Sequence, residues 1–133
     1  MNLDQMHAQA VAARKKSHSP YSKQQVGAAV KISTGEVFSG CNVENASYGG
    51  TVCAERVAIW KAVSEKSPIQ IEEIVVVTDQ PKAWPPCGMC RQVIAEFATA
   101  KTMVHIGNLH GLQRSLPFSE LFPDGFSPSH MQI

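Results

Sequence analysis

The length of the chain, 133 residues, is enough for one domain with a buried core, and we expect a single domain over residues 1–133. Hydrophobic residues make up 44% of the chain and charged residues 17%, which excludes an intrinsically disordered protein and a membrane protein. The formal net charge of +1 gives no electrostatic basis for binding nucleic acid or an anionic membrane.

The N-terminal segment carries no targeting signal that we recognise. Asp4 and a late basic cluster lie in it without a continuous apolar block, so the pattern does not predict a signal peptide. No apolar run approaches the ~20 residues of a membrane-spanning helix. Without a secretory signal, the four cysteines (Cys41, Cys53, Cys87 and Cys90) are more typical of metal binding or redox chemistry than of structural disulfides. We therefore expect a cytoplasmic protein.

The first half of the chain predicts one helix, one hairpin and a polar loop. Apolar residues at helical spacing indicate a helix over residues 2–16. Small and β-branched residues indicate a strand over residues 26–32, followed by a turn at Thr34 and Gly35 and a second strand over residues 36–38. Residues 41–50 form a predicted loop with more hydrogen-bonding side chains than a simple connection needs.

The second half alternates predicted helices and strands. The pattern predicts a helix over 52–66, a strand over 71–78, a proline-rich loop over 79–86, a helix over 87–100, a strand over 102–107 and a one-turn helix over 119–122. The almost uninterrupted β-branched run at 74–77 is typical of a strand covered on both faces. This order predicts a three-layer α/β/α sandwich on a mixed sheet of about five strands.

Three cysteines and one glutamate lie at the predicted starts of two helices. Cys53 falls in the first turn of one helix, and Cys87 and Cys90 share one face of the next. Helix N-termini stabilise anions and so favour the thiolate form that binds zinc. Three protein ligands leave the fourth position of a zinc ion open, which is the pattern of catalytic sites. Glu55, two residues after Cys53, is placed to accept a proton from a water molecule there.

Three thiolates give a zinc site a net negative charge, which works against acidifying a water molecule. We expect Arg56 to offset this charge by donating hydrogen bonds to the sulfurs. Less specific interpretations stay open. Cys41 as a fourth ligand would make the zinc structural, a C-x-x-C pair alone also serves redox chemistry, and Glu55 alone would be an ordinary solvated helix acid.

Four motifs together resemble a known family. They are Cys-Ala-Glu-Arg at 53–56, Pro-Cys-Gly-Met-Cys at 86–90, Cys-Arg-Gln at 90–92, and the loop Asn-Val-Glu-Asn-Ala-Ser-Tyr at 42–48. The cysteine motifs resemble those of zinc nucleoside and nucleobase deaminases. With the loop, they are similar to cytidine deaminases of the small, homotetrameric, three-cysteine type, over residues 19 to about 126. The resemblance implies one Zn²⁺ per subunit, a homotetramer, and pyrimidine salvage by hydrolysis of cytidine and deoxycytidine to uridine, deoxyuridine and ammonia.

The resemblance also implies roles for individual residues. Asn42 and Glu44 would bind the ribose hydroxyls. Glu55 would take a proton from water, pass it to N3 of the base and help protonate the departing amine. The backbone around Ala54 and Cys87 would orient the pyrimidine.

The resemblance also bears on Phe126, Gln24 and the end of the chain. Phe126 matches an aromatic residue that, in relatives, reaches the active site of a neighbouring subunit. Relatives commonly have Phe near the substrate where this chain has Gln24. Loss of an aromatic contact of about 1 kcal/mol predicts weaker nucleoside binding than in relatives, or compensation from Phe126 or Trp84. The end of the chain, 128–131, departs from the acidic tail of relatives.

Three alternatives to cytidine deamination follow from the same motifs. A deaminase of another cytosine nucleoside, such as blasticidin S, shares the zinc motif, but the loop at 42–48 is more similar to the cytidine type. A nucleic-acid-editing deaminase is disfavoured by the near-neutral charge and by a sugar loop that expects a free 3′ hydroxyl. A non-enzymatic structural zinc module would require four protein ligands.

Overall fold

The computed structural model of the protein describes residues 1–131, so residues 132 and 133 of the predicted domain lie outside the described residues. Its strands are β1 (Gly27–Ile32), β2 (Val37–Cys41), β3 (Ile71–Thr78), β4 (Ala98–Asn108) and β5 (Gly111–Pro117). Its helices are α1 (Leu3–Arg14), α2 (Ala54–Lys66), α3 (Gly88–Phe97) and the one-turn helices α4 (Phe118–Leu121) and α5 (Pro128–Met131). A single 3₁₀ turn (Tyr48–Gly50) precedes α2.

The strands form one mixed sheet with the order β2-β1-β3-β4-β5. Within residues 1–131, β3 and β4 are the one parallel pair of neighbouring strands, and the other neighbouring pairs are antiparallel. The crossover between β3 and β4 contains α3, as a parallel connection requires. The mixed five-stranded α/β fold predicted from the sequence is therefore confirmed.

The central strand β3 is buried on both faces because helices cover the sheet on both sides. Val75 and Val77 pack with Met6 and Ala10 of α1. Their neighbours Ile74 and Val76 face the other way, into the cluster that contains buried residues of α2 and α3. The β-branched run is explained by this double burial, which makes β3 a rigid support for the loops at its end.

Two glycines allow helices to lie directly against the sheet. A Cβ atom at Gly27 would collide with the carbonyl oxygen of Ala10, so α1 sits on β1 only because this position lacks a side chain. A Cβ at Gly40 would lie 2.7 Å from the amide nitrogen of Ala58 and 2.8 Å from the carbonyl oxygen of Ala54. The start of α2 is thus held close over the end of β2.

The structure corrects several predicted elements. The strand predicted over residues 36–38 is β2, Val37–Cys41, and α5 was not predicted. The helix predicted to reach residue 100 ends at Phe97, because the chain enters β4 at Ala98. Strand β5 was not predicted from the sequence. It is an edge strand whose exposed middle residues, Gln113, Arg114 and Ser115, carry no apolar signal. Among residues 1–131, no helix has the length and apolar character to cross a membrane.

Candidate active site

Three cysteine sulfurs converge at the starts of α2 and α3. Cys53 and Cys87 are the N-caps of the two helices rather than members of their first turns, and Cys90 lies in the first turn of α3. The three sulfurs lie within 4.8 Å of one another, and the Cys53 and Cys87 sulfurs are 3.6 Å apart. Tetrahedral zinc with Zn–S bonds of about 2.3 Å separates its sulfurs by roughly 3.8 Å. This three-sulfur cluster therefore fits a zinc ion.

The surroundings of the cluster favour the thiolate form of Cys53. The hydrogen bond from the Cys90 thiol, assisted by Arg56, lowers the pKa of the Cys53 thiol to about 5 although burial opposes the shift. That hydrogen bond, together with burial, raises the pKa of Cys90, so the negative charge lies on Cys53 while the Cys90 thiol keeps its proton. The backbone N–H of Cys90 points at the Cys87 sulfur at 3.5 Å. Both helix N-termini add their positive dipole ends to this environment.

Arg56 is the cation of the cluster, and it is almost fully buried. Its Nη2 donates to the Cys53 sulfur at 3.5 Å and its Nη1 to the sulfur of Met89 at 2.9 Å. Its guanidinium also lies 5.9 Å from the ring centroid of Trp60, one helical turn later. The predicted position of Arg56 beside the sulfurs is thus found. The contacts that Met89 and Trp60 make with Arg56 were not predicted from the sequence. The four-residue spacing of Arg56 and Trp60 on α2 is a sequence signal for the Trp60 contact, and the Met89 contact has no such signal.

Glu55 is a buried acid with an unsatisfied oxygen. Its exposed fraction is 3%, and its Oε1 has no hydrogen-bond partner among residues 1–131. Burial, with a contribution from the negative charge on Cys53, raises the pKa of the Glu55 carboxyl to about 7. An unpartnered buried carboxylate oxygen costs free energy unless a ligand meets it. Glu55 lines a cavity, which gives such a ligand access.

The cavity has a volume of about 390 Å³. Its polar lining includes Cys53, Glu55 and Cys87 of the zinc-site motifs and Asn42 and Glu44 of the loop before α2. Its remaining lining is largely apolar and includes Val26, Val76, Trp84 and Pro85. Such a lining suits a small, flat molecule that carries several polar groups.

Asn42 and Glu44 are held by hydrogen bonds to neighbouring backbone. The Asn42 Oδ1 accepts from the Val26 N–H at 2.9 Å, and its Nδ2 donates to the Gln24 carbonyl at 2.8 Å. The Glu44 Oε1 accepts from the Tyr21 and Ser22 N–H groups at 3.0 and 3.1 Å. The Ser22 hydroxyl donates to Glu44 as well, and these bonds lower the pKa of that carboxyl. Glu44 is therefore a fixed, ionised hydrogen-bond acceptor.

Not every predicted site residue meets the cavity. Ala54 is fully buried at the start of α2 and Phe126 is 55% exposed, and neither side chain is part of the lining. Phe126 stacks on His130, with ring centroids 5.4 Å apart. Cys41 is absent from the group of candidate metal ligands among the described residues, so the four-ligand interpretation has no support. Trp84 does line the cavity.

The comparisons with known proteins agree with this geometry. The model of the cytidine and deoxycytidylate deaminase zinc-binding region matches residues 1–106. The chain belongs to this deaminase family. A cytidine deaminase of Halalkalibacterium halodurans is 45% identical over 131 residues, covering 98% of each chain. The crystal structure of cytidine deaminase from Burkholderia pseudomallei superposes with a TM-score of 0.88 at 41% identity, over 95% of this chain and 100% of that one.

The deaminase family accounts for the sulfur cluster, since Cys53, Cys87 and Cys90 all lie within the matched zinc-binding region. One zinc ion per chain fits both the family and the cluster. A blasticidin-S deaminase of Bacillus cereus is 38% identical over only 84 residues, which is 57% of this chain and 59% of that protein. The similarity to the cytidine deaminase above is both higher and more complete.

Proposed function

We propose that this protein hydrolyses cytidine and deoxycytidine to uridine and deoxyuridine, with release of ammonia. The observation that carries the proposal is the unpartnered, buried carboxylate oxygen of Glu55 beside the three-sulfur cluster, at a cavity of about 390 Å³. High identity to cytidine deaminases over nearly the whole chain supports the same reaction.

The polar residues of the cavity lining support one orientation of the substrate. Atom C4 of the base, where the amine is replaced, has to lie near Glu55 and the three-sulfur cluster. The ribose then lies toward Asn42 and Glu44. Glu44 is an ionised acceptor and so takes a hydrogen bond from a sugar hydroxyl, while the second hydrogen of the Asn42 amide is available to a sugar oxygen. The apolar walls and Trp84 enclose the flat base.

The reaction forms a C4–O bond from water and breaks the C4–N4 bond. A bound zinc ion supplies Lewis-acid charge that makes a water molecule in the cavity more acidic. Glu55 takes one proton from the attacking water and delivers it to N3. It then takes the second proton from the new hydroxyl on C4 and delivers it to the departing amine, so both protons of the water are used and ammonia leaves as the C4 carbonyl forms. A carboxyl with a pKa near 7 suits both acceptance and return of a proton at neutral pH. The backbone at Ala54 and Cys87 orients the pyrimidine, and Arg56 offsets the charge of three thiolates.

We further infer a homotetramer in which Phe126 completes the cavity of a neighbouring subunit. The support is that this half-exposed aromatic side chain is not part of the lining of its own cavity. Free thiols serving as metal ligands need a reducing compartment, which favours the cytoplasm, and the reaction itself suits pyrimidine salvage. Light scattering coupled to size exclusion, on the wild type and on Phe126→Ser, tests the assembly.

The decisive experiment follows the ultraviolet absorbance of cytidine while zinc is titrated into metal-free protein. We expect turnover to rise with bound zinc to one equivalent per chain. Glu55→Ala should retain zinc and lose turnover by a factor of about 10² or more. The matched control is Glu65→Ala, an exposed acid on the same helix, which should behave like the wild type.

Two results would contradict the proposal. A Glu55→Ala protein that deaminates cytidine at the wild-type rate would remove the proton-transfer role. A zinc-loaded wild type that is inactive on cytidine and deoxycytidine but active on blasticidin S would assign the chain to the alternative substrate. Zinc content by elemental analysis, measured on every sample, separates loss of metal from loss of chemistry.

A further inference from the structure

One side-chain amide of the cavity lining is hydrogen-bonded to a second amide that is not part of the lining. The Gln24 side chain is part of the cavity lining, just before β1 begins. Its Oε1 accepts a hydrogen bond of 3.1 Å from the Nε2 of Gln80, which lies just after β3 ends. These two residues are far apart in the chain and are brought together by the antiparallel pairing of β1 with β3. We refer to them as the amide pair.

The ion pair of Arg14 and Asp79 determines which amide of the pair donates and which accepts. The Nε2 of Gln80 also donates to the Asp79 Oδ1 at 3.1 Å, and the Asp79 carboxylate is held by Arg14 at 3.0 Å. A carboxylate only accepts hydrogen bonds, so Gln80 has to direct its N–H groups toward Asp79 and Gln24. Gln24 consequently uses its oxygen for this contact. Its own Nε2 has no acceptor among residues 1–131 and remains available as a donor.

The backbone of Gln24 belongs to the hydrogen-bond network at the sugar end of the cavity. Its carbonyl accepts from the Asn42 amide at 2.8 Å, and its N–H donates to the Ser22 hydroxyl at 3.1 Å. That hydroxyl in turn donates to Glu44. Gln24 is thus tied to the two residues that the proposed function assigns to the ribose.

We propose that Gln24 is a specificity-determining residue that donates a hydrogen bond from Nε2 to a hydroxyl oxygen of the nucleoside sugar. Gln80 is the positioning residue that keeps this donor turned toward the cavity. The inference rests on the proposed function, because it takes the orientation of the nucleoside from there. The Gln24 donor complements the Glu44 carboxylate, which can only accept a hydrogen bond from a sugar hydroxyl. The sugar thus meets a donor in Gln24 and an acceptor in Glu44.

The first test is Gln24→Leu, which keeps the size of the side chain and removes the donor. We expect the KM for cytidine to rise about two- to tenfold with kcat unchanged, as for loss of one hydrogen bond away from the reacting atoms. The matched control is Gln25→Leu, the same substitution one residue later, where the side chain is not part of the cavity lining. Its KM should equal that of the wild type.

The second test identifies the atom that accepts the hydrogen bond. The effect of Gln24→Leu on KM is measured with cytidine and with its 2′-, 3′- and 5′-deoxy analogues. The analogue that lacks the accepting oxygen should show the same KM for the wild type and for Gln24→Leu, whereas the others keep the full difference. A purely structural effect of the substitution would change KM by the same factor for all four compounds.

The third test reverses the amide pair. In Gln80→Glu the carboxylate accepts from the Nε2 of Gln24, which turns the Gln24 oxygen toward the cavity. We expect a rise in KM at least as large as that of Gln24→Leu, and no further rise in the double variant Gln24→Leu/Gln80→Glu. Gln80→Leu, which releases Gln24 without reversing it, should have a smaller effect than Gln80→Glu.

The results separate this inference from the function on which it rests. If the wild type does not deaminate cytidine, the proposed function fails. If the wild type is active and Gln24→Leu leaves KM unchanged, or raises it equally for every sugar analogue, only the role of Gln24 fails. A fall in kcat without a change in KM would also overturn it, since that would place Gln24 with the reacting atoms.

Discussion

Arg56→Met is the substitution that most directly tests how a cluster of three thiolates holds zinc. The variant keeps an unbranched side chain of similar length at a position that is only 8% exposed. It removes the hydrogen bond to the Cys53 sulfur and the positive charge. We expect weaker zinc binding, because three thiolates with Zn²⁺ carry a net negative charge that Arg56 balances.

The distance between the charges sets the size of the effect. At 3.5 Å between Nη2 and the Cys53 sulfur, and with an effective dielectric constant of about 20, the attraction is about 5 kcal/mol. Burying the guanidinium opposes this attraction, so the net loss is smaller. Residues that contact metal ligands typically change metal affinity about 10- to 100-fold, which corresponds to roughly 1.4–2.7 kcal/mol. We expect the dissociation constant for zinc to rise within that range.

Competition with a chromophoric chelator measures the dissociation constant without using activity. Arg114→Met, the same substitution on the exposed face of β5, is the control and should bind zinc like the wild type. The zinc affinity of Arg56→Lys should lie between that of Arg56→Met and that of the wild type. Its ammonium group keeps the positive charge but lacks the planar guanidinium that donates to the sulfurs of both Cys53 and Met89. A zinc affinity for Arg56→Met within threefold of the wild type would refute the charge-balance argument.

Three further outcomes are expected. Hydrogen bonds from Ser22 lower the pKa of Glu44, so the wild type should keep its KM for cytidine as the pH falls until that carboxyl protonates; in Ser22→Ala the rise in KM should begin at a higher pH. Removing zinc with a chelator should expose two additional thiols of the folded protein to alkylation, those of Cys53 and Cys87, because Cys90 is fully buried; mass spectrometry counts them, and an unchanged count would contradict the ligand assignment. Gly27→Ala should lower the free energy of unfolding by about 1–3 kcal/mol in urea titrations, because its Cβ meets α1, whereas Gly49→Ala should be near neutral; equal effects would show that α1 does not depend on this contact.

The sequence predicted the elements whose signal is local and strong. The β-branched run was sufficient to predict β3, and the helical spacing of apolar residues was sufficient to predict α1 and α2. These patterns arise because β3 is buried on both faces and each helix packs one face on the sheet. The end of α3 and the whole of β5 were not predictable in the same way. Residues 98–101 leave the helical pattern because pairing with β3 begins at Ala98, and β5 is an exposed edge whose residues gain their structure from β4.

By itself, the sequence determined the chemistry of the site, because cysteine spacing at helix starts and a nearby glutamate restrict what the residues can do. Only the tertiary structure decided how that chemistry is arranged. It buried Glu55 with a free oxygen, brought Met89 and Trp60 onto Arg56, and left Phe126 out of the lining of its own cavity. It also paired Gln24 with Gln80. Contacts between residues distant in the chain depend on strand pairing, which no local pattern encodes.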